Sequence, residues 1–217
     1  MKRVNRYLLI VCLLLPGTVS AADALPRVLI LGDSIYNEPS RKVASELKER
    51  ASVVWKNPGD TATALAQLDT LLGEEPWDVI HFNFGLADLH YRDPRTQAIR
   101  ALSKRAGGVR VTSPEDYEAR LDELAERLGK SSAKRIWAST TPILRPKPES
   151  LYDIGSEIEY NSIAARVMAK HRITVNDLHA FVGRQIDQQK PPEMFDFRGI
   201  DLHLPILKAI QAELDKR

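Results

Sequence analysis

Short β-rich apolar runs alternate with stretches of helical period along this chain, and that alternation constrains its fold more than any other feature. Arg27-Val-Leu-Ile-Leu31 stops at Gly32, and the segment from Pro39 to about Arg50 reads as a helix. Ser52–Trp55 forms the second apolar run, closed by Asn57-Pro-Gly59, and Thr61–Leu72 sets leucines at 65, 68, 71 and 72 along one helical face. Trp77–Asn83 is a third strand. Ser113-Pro114-Glu115-Asp116 joins an N-cap, a first-turn proline and acidic residues, and so opens a helix that runs to about Leu128, before Gly129. Lys134–Ser139 and Ile173–Val175 supply the fourth and fifth strands. Helical patterns fall at about 157–170, 178–188 and 205–215. Tyr91–Thr112 and Thr141–Pro148 read as long loops after strands.

Strand, helix, strand in repetition predicts a central parallel sheet of five strands with helices on both faces, an α/β fold of three layers. The near-continuous apolarity of the first and third strands agrees with burial from both sides. The chain has 217 residues, no internal repeat and no evident linker, so one domain is expected over residues 22–217. Its single cysteine excludes an internal disulfide framework and any Cys₄ or Cys₂His₂ zinc site.

Residues 1–21 carry a different signal. Lys2, Arg3 and Arg6 precede the apolar run Tyr7–Leu15, Pro16-Gly17 ends it, and Thr18-Val-Ser-Ala-Ala22 follows. A basic start, a short apolar middle and small residues make a secretory signal peptide, with cleavage expected after Ala21. The run is shorter than the roughly 20 residues that span a bilayer. Removing it turns the formal net charge of +2 into −1, because it holds three basic and no acidic residues. No basic stripe with interleaved aromatics remains to bind nucleic acid. The expectation is an exported protein, periplasmic or secreted, with no stable membrane insertion after cleavage.

Ligand sites in such sheets gather at the carboxyl ends of the strands. Ser34, in Leu31-Gly32-Asp33-Ser34-Ile35, lies just past the first strand, where a glycine turn and a helix entrance hold a hydroxyl on a bend with amides beside it. A serine nucleophile needs a base, and five histidines are available. His171 lies at a helix end and His179 at a helix start. His81 sits within the third strand, and a metal reading of His81, Asp88 and His90 has no recognised ligand spacing. His203, in Gly199-Ile-Asp201-Leu-His203, stands in a loop just before the final helix with a carboxylate close by, as triad logic requires. Gly59 lets its amide approach a reacting carbonyl closely, and Asn83 offers a side-chain amide after the third strand. Strand alternation puts His81 and Asn83 on one face, where His81 would position Asn83.

Gly-Asp-Ser after the first strand, a glycine block after the second, Gly85-Leu-Ala87-Asp88 after the third and an Asp/His block before the last helix together resemble the SGNH, or GDSL-like, hydrolases. Asp78–Leu89 and Ile136–Pro142 resemble an exported bacterial branch of that family. The resemblance implies a flavodoxin-like α/β/α fold and metal-independent ester hydrolysis, often of acyl groups on carbohydrates or lipids, with no cofactor. Carried over by position, it makes Ser34 the nucleophile and an oxyanion donor through its amide, Gly59 a second donor and His203 the base. Two blocks depart from the family pattern. Ala87 stands where the family has asparagine, with Asn83 the nearest substitute, and Ile200 stands where the family has aspartate. Asp201 or a more distant acid such as Asp196 would then orient His203, or the serine and histidine would act as a dyad. The expected partner is a small-molecule or carbohydrate ester. An impaired relative that binds cell-envelope carbohydrate is the alternative.

Overall fold

The computed structural model describes residues 24–96, 100–144, 151–187, 197 and 199–216. The expected signal peptide and Asp196 lie outside the described residues. The expected central sheet is present: β1 (Arg27–Leu31), β2 (Ser52–Lys56), β3 (Val79–Phe82), β6 (Lys134–Ala138) and β7 (Thr174–Asn176) are parallel throughout, in the order β2-β1-β3-β6-β7. The strand order reverses beside β1, so the loops leaving β1 and β3 diverge there and open a crevice.

The helices divide between the two faces. Side chains of α2 (Thr61–Leu72), α4 (Pro114–Leu128) and α5 (Ser156–Lys170) join Leu29, Leu31, Ile80 and Phe82 in one core. Those of α1 (Asn37–Glu46) and α7 (His203–Leu214) join Val28, Ile30, Val79 and Ile136 in the other. Alternate residues of β1 and β3 thus feed opposite cores, which explains why both strands are apolar at every position save Arg27 and His81. Local chemistry fixes the helix starts. The Asp60 carboxylate accepts from the amides of Ala62 and Thr63, and Ser113 Oγ accepts from Asp116 N.

Two segments differ from expectation. Tyr91–Thr112 is not an unstructured loop: β4 (Tyr91–Arg92) pairs antiparallel with β5 (Val109–Arg110), and a 3-10 turn at Lys104–Ala106 ends on Gly107 with φ of 91°. Pairs this short leave too few residues for an alternation pattern to register. A short helix α3 (Leu86–Leu89) follows β3, and α6 (Leu178–Gly183) follows β7. No helix among the described residues is long and apolar enough to cross a membrane.

Candidate active site

The bend after β1 is built around a close approach. A Cβ on Gly32 would lie 2.5 Å from the Tyr36 ring, so only glycine lets that buried ring tuck under the turn. Gly32 N donates to Lys56 O, and Trp55 Nε1 donates to Gly32 O at 3.0 Å, tying the bend to β2. Asp33 then caps the 3-10 turn Ser34–Tyr36, its Oδ1 accepting from Ile35 N at 2.8 Å. Burial pushes the Asp33 carboxyl up to about 6, against the opposing pull of that amide. Ser34 opens the turn with its side chain exposed, and no hydrogen bond among the described residues engages its N–H. The bend thus presents an exposed serine whose amide has no hydrogen bond among the described residues.

Ser34 and His203 both line a cleft of about 420 Å³, which Glu38, Lys42 and Asp201 also line. The histidine is the first residue of α7 and not part of the loop before it, because the helix begins two residues earlier than the pattern from Pro205 suggests. Its side chain keeps 11% exposure. The ring lies between two carboxylates. Glu46 Oε1 is 3.3 Å from Nε2, and Asp201 Oδ1 is 3.5 Å from Nδ1. Both contacts are within ion-pair reach, neither is a hydrogen bond, and Nδ1 is buried without a hydrogen-bond partner. No hydrogen bond among the described residues joins His203 to Ser34. Asp201 Oδ1 also accepts from Lys42 Nζ at 3.4 Å.

The other expected residues sit differently. Gly59 has φ of 73°, the left-handed region that favours glycine, and its N–H donates to Asn57 Oδ1 at 3.0 Å instead of standing free. Asn83 is buried, and both hydrogens of its amide are spent: Nδ2 donates to Ala138 O at 2.8 Å and to Thr140 Oγ1 at 3.1 Å. With no hydrogen left for an oxyanion, it ties β3 to the end of β6. His81 does not position it. Asn176 Nδ2 donates to His81 Nε2 at 3.1 Å, Tyr36 packs against the ring, and burial lowers His81 to about 3, which keeps the imidazole neutral. Asp88 is fully buried and accepts from Thr61 N, Thr61 Oγ1 and Thr112 Oγ1. His81, Asp88 and His90 do not come together, and no group of three or more potential metal ligands exists among the described residues. His171, at the end of α5, pairs with Asp122 at 2.7 Å, and His179 pairs with the buried Glu157 at 3.2 Å.

Lys42, which lines the cleft, and Glu46, which lies against His203, are site residues that the sequence motifs do not mark. Their signal was the spacing Glu38, Lys42, Glu46, which sets three charges on one face of α1. A charged stripe of that kind ordinarily faces water, so nothing in it pointed to a histidine some 160 residues downstream.

No family model matches the sequence, and no curated protein matches it. Solved structures do. A lipase/acylhydrolase from Enterococcus faecalis superposes with a TM-score of 0.60 at 16% identity, covering 87% of this chain and 96% of that one. An acetyl xylan esterase, AlAXEase, gives 0.61 at 13% identity over 85% and 99% of the two chains. A GDSL-like lipase from Bacteroides thetaiotaomicron gives 0.58 at 14% identity over 90% and 93%. At such identities the likeness concerns the backbone, and it establishes that this chain shares the α/β/α fold of these GDSL-like lipase and acetyl xylan esterase structures.

Proposed function

We propose that the protein is an exported serine hydrolase that cleaves acyl esters, with acetyl groups on a carbohydrate as the leading substrate class. One observation carries the reading: an exposed serine on a capped bend, its amide unengaged, shares a cleft with a histidine set between carboxylates. The cleft volume lies in the range of small-ligand sites, roughly 300–1,000 Å³. The names of the similar structures, acylhydrolase and acetyl xylan esterase, support ester chemistry on this fold. The run of residues 1–22 supports export, and N-terminal sequencing of the secreted chain should begin at Ala22.

In this reading His203 takes the proton of the Ser34 hydroxyl as the serine oxygen bonds to the ester carbonyl. The Ser34 N–H stabilises the resulting oxyanion. Collapse breaks the carbonyl–alkoxide bond, and His203 returns the proton to the departing alcohol. Water then repeats the sequence on the acyl-serine and releases the acid. With Asn83 committed and Gly59 turned to Asn57, one donor is free, and each missing donor costs about 2.7–4 kcal/mol of barrier. The enzyme is therefore slow beside one with a complete oxyanion hole. Purified protein should release p-nitrophenol from acetate and butyrate esters, and Ser34→Ala should abolish the release. Equal rates in the two proteins would overturn the reading.

The engaged amides of Gly59 and Asn83 favour a second reading, a binding module that kept the fold. It predicts calorimetric binding of xylan or peptidoglycan fragments without turnover, unchanged by Ser34→Ala.

A further inference from the structure

The chain's charge is divided unevenly in space. Tyr91–Thr112 carries six basic residues and one acidic, whereas the rest of residues 22–217 carries 22 basic and 28 acidic. The positive stretch leaves the sheet after α3 and returns at the start of α4. Thr112 N donates to Asp88 O and Val111 N to His90 O, so both ends of the excursion are pinned beside the buried Asp88, at the end of the sheet that holds Ser34. Between those ends β4 pairs with β5 on one side and bridges Ala101 on the other, which makes a small folded platform.

Its neutralisation is incomplete. Asp93 is gripped by Arg95, whose Nε and one terminal nitrogen each reach a carboxylate oxygen at 2.8 Å. Asp153 alone serves both Lys104 at 3.1 Å and Arg110 at 3.2 Å. No ion pair among the described residues engages Arg92, Arg100 or Arg105, and the last two are exposed. Charges on α4 and α5 behave otherwise, for Arg166 pairs with Glu118 and Lys170 with Asp122. A surplus of cations on a fixed surface attracts anions over about a Debye length, roughly 10 Å. Five of the six are arginines, whose planar fork fits a carboxylate as Arg95 does here. Tyr91, the excursion's single aromatic, is buried, so no ring stands out to stack on bases. Val109 is its one exposed large apolar residue among those described, too little to enter a bilayer.

The platform is joined to the serine bend through one segment. Tyr91 N donates to Leu151 O, and the next residue, Tyr152, sets its ring 6.3 Å from that of His90. Tyr152 and Ile35, the residue after Ser34, pack on the same core. Burial pushes the Tyr152 phenol up to about 12, and the charge of Asp33 adds to the effect. We propose that the Tyr91–Thr112 platform docks the carboxylates of an acidic polysaccharide and so presents an ester on that chain to Ser34. This inference rests on the carbohydrate-ester reading above and narrows it to a substrate that carries uronate groups.

The test reads binding and turnover separately. Calorimetry on the full chain should show polygalacturonate binding that weakens steeply from about 50 to about 300 mM salt, with no comparable binding of neutral xylan. Arg100→Glu combined with Arg105→Glu should weaken it about tenfold or more. Lys130→Glu combined with Lys134→Glu, the same charge change on exposed residues at the opposite end of the sheet, should stay within about twofold of the parent. On acetylated polygalacturonate the first pair should raise KM by a similar factor with kcat unchanged, while turnover of p-nitrophenyl acetate stays the same. Absent polygalacturonate binding, equal weakening by both pairs, or tighter binding of duplex DNA or of anionic vesicles would overturn the proposal. Turnover that survives Ser34→Ala would instead sink the hydrolase reading. The calorimetry, repeated on Ser34→Ala, decides the role of the platform in either event.

Discussion

Asp88 and Ser34 lie at the same end of the sheet, after neighbouring strands, and their surroundings are opposite. Asp88 has no exposure, and three donors from two other segments converge on it. Around it Tyr117 Oη donates to Phe84 O, Tyr160 Oη donates to Thr112 O, and the two rings pack at a tilt of 51° with centroids 4.8 Å apart. Ser34 has its hydroxyl in the cleft and its amide unengaged, and the nearby His203 Nδ1 lacks a hydrogen bond. Buried polar groups in native proteins are normally satisfied. The saturated side is therefore architecture: it clamps the loop after β3 to α2 and to the entrance of α4. The unsaturated side holds the groups free to meet a ligand.

Substitutions should separate the two regions. His203→Ala should have the largest effect, lowering esterase kcat on the order of 10²–10⁴-fold while leaving the melting temperature nearly unchanged. An unaltered rate would remove the cleft from the chemistry. Asp88→Ala should do the reverse, lowering unfolding stability by about 3 kcal/mol or more in urea titration, since it strands a buried amide and two hydroxyls. Retained stability would mean that the clamp carries nothing.

The same carboxyl gives a pH dependence. Burial raises Asp88 from 3.8 to about 6, partly offset by its hydrogen bonds to Thr61 and Thr112. Its folded value exceeds its unfolded one, so its contribution is full below the unfolded value and is lost as pH rises through about 6. The unfolding free energy from urea titration should therefore fall between pH 4.5 and 7.5 by more in the parent than in Asp88→Asn, a difference on the order of 1–3 kcal/mol. Parallel curves would contradict it. The smallest effect is expected at Asn83. Asn83→Ala should cost about 1–2 kcal/mol of stability through the unpaired Ala138 carbonyl and Thr140 hydroxyl, with no separate loss in kcat. A kcat loss in excess of the folding defect would return Asn83 to the oxyanion.

Most of the architecture was legible in the residues, because it rests on local rules. Apolar runs bounded by Gly32, Asn57-Pro-Gly59 and Gly129 became strands and helices near the expected places, and Ser113 caps α4 as its spacing predicts. Ser34 was legible for the same reason, since a strand, a glycine and a helix entrance define its bend. The partners of the site were not. Strand alternation linked Asn83 to His81, but Asn83 lies just beyond β3, where the chain has left the pleat, and its amide turns to β6. Gly59 has the expected backbone freedom, yet Asn57, two residues earlier, claims its N–H. Glu46 meets His203 only because α1 packs on α7, a long-range contact that no periodicity encodes.

The central claim is that Ser34 is a reactive alcohol, activated by the imidazole that shares its cleft. Incubation of the folded protein with a fluorophosphonate, followed by peptide mass spectrometry, tests it most directly. The account predicts one adduct, on Ser34, which is abolished in Ser34→Ala and strongly slowed in His203→Ala. An unlabelled Ser34, or labelling at the same rate without His203, would contradict it.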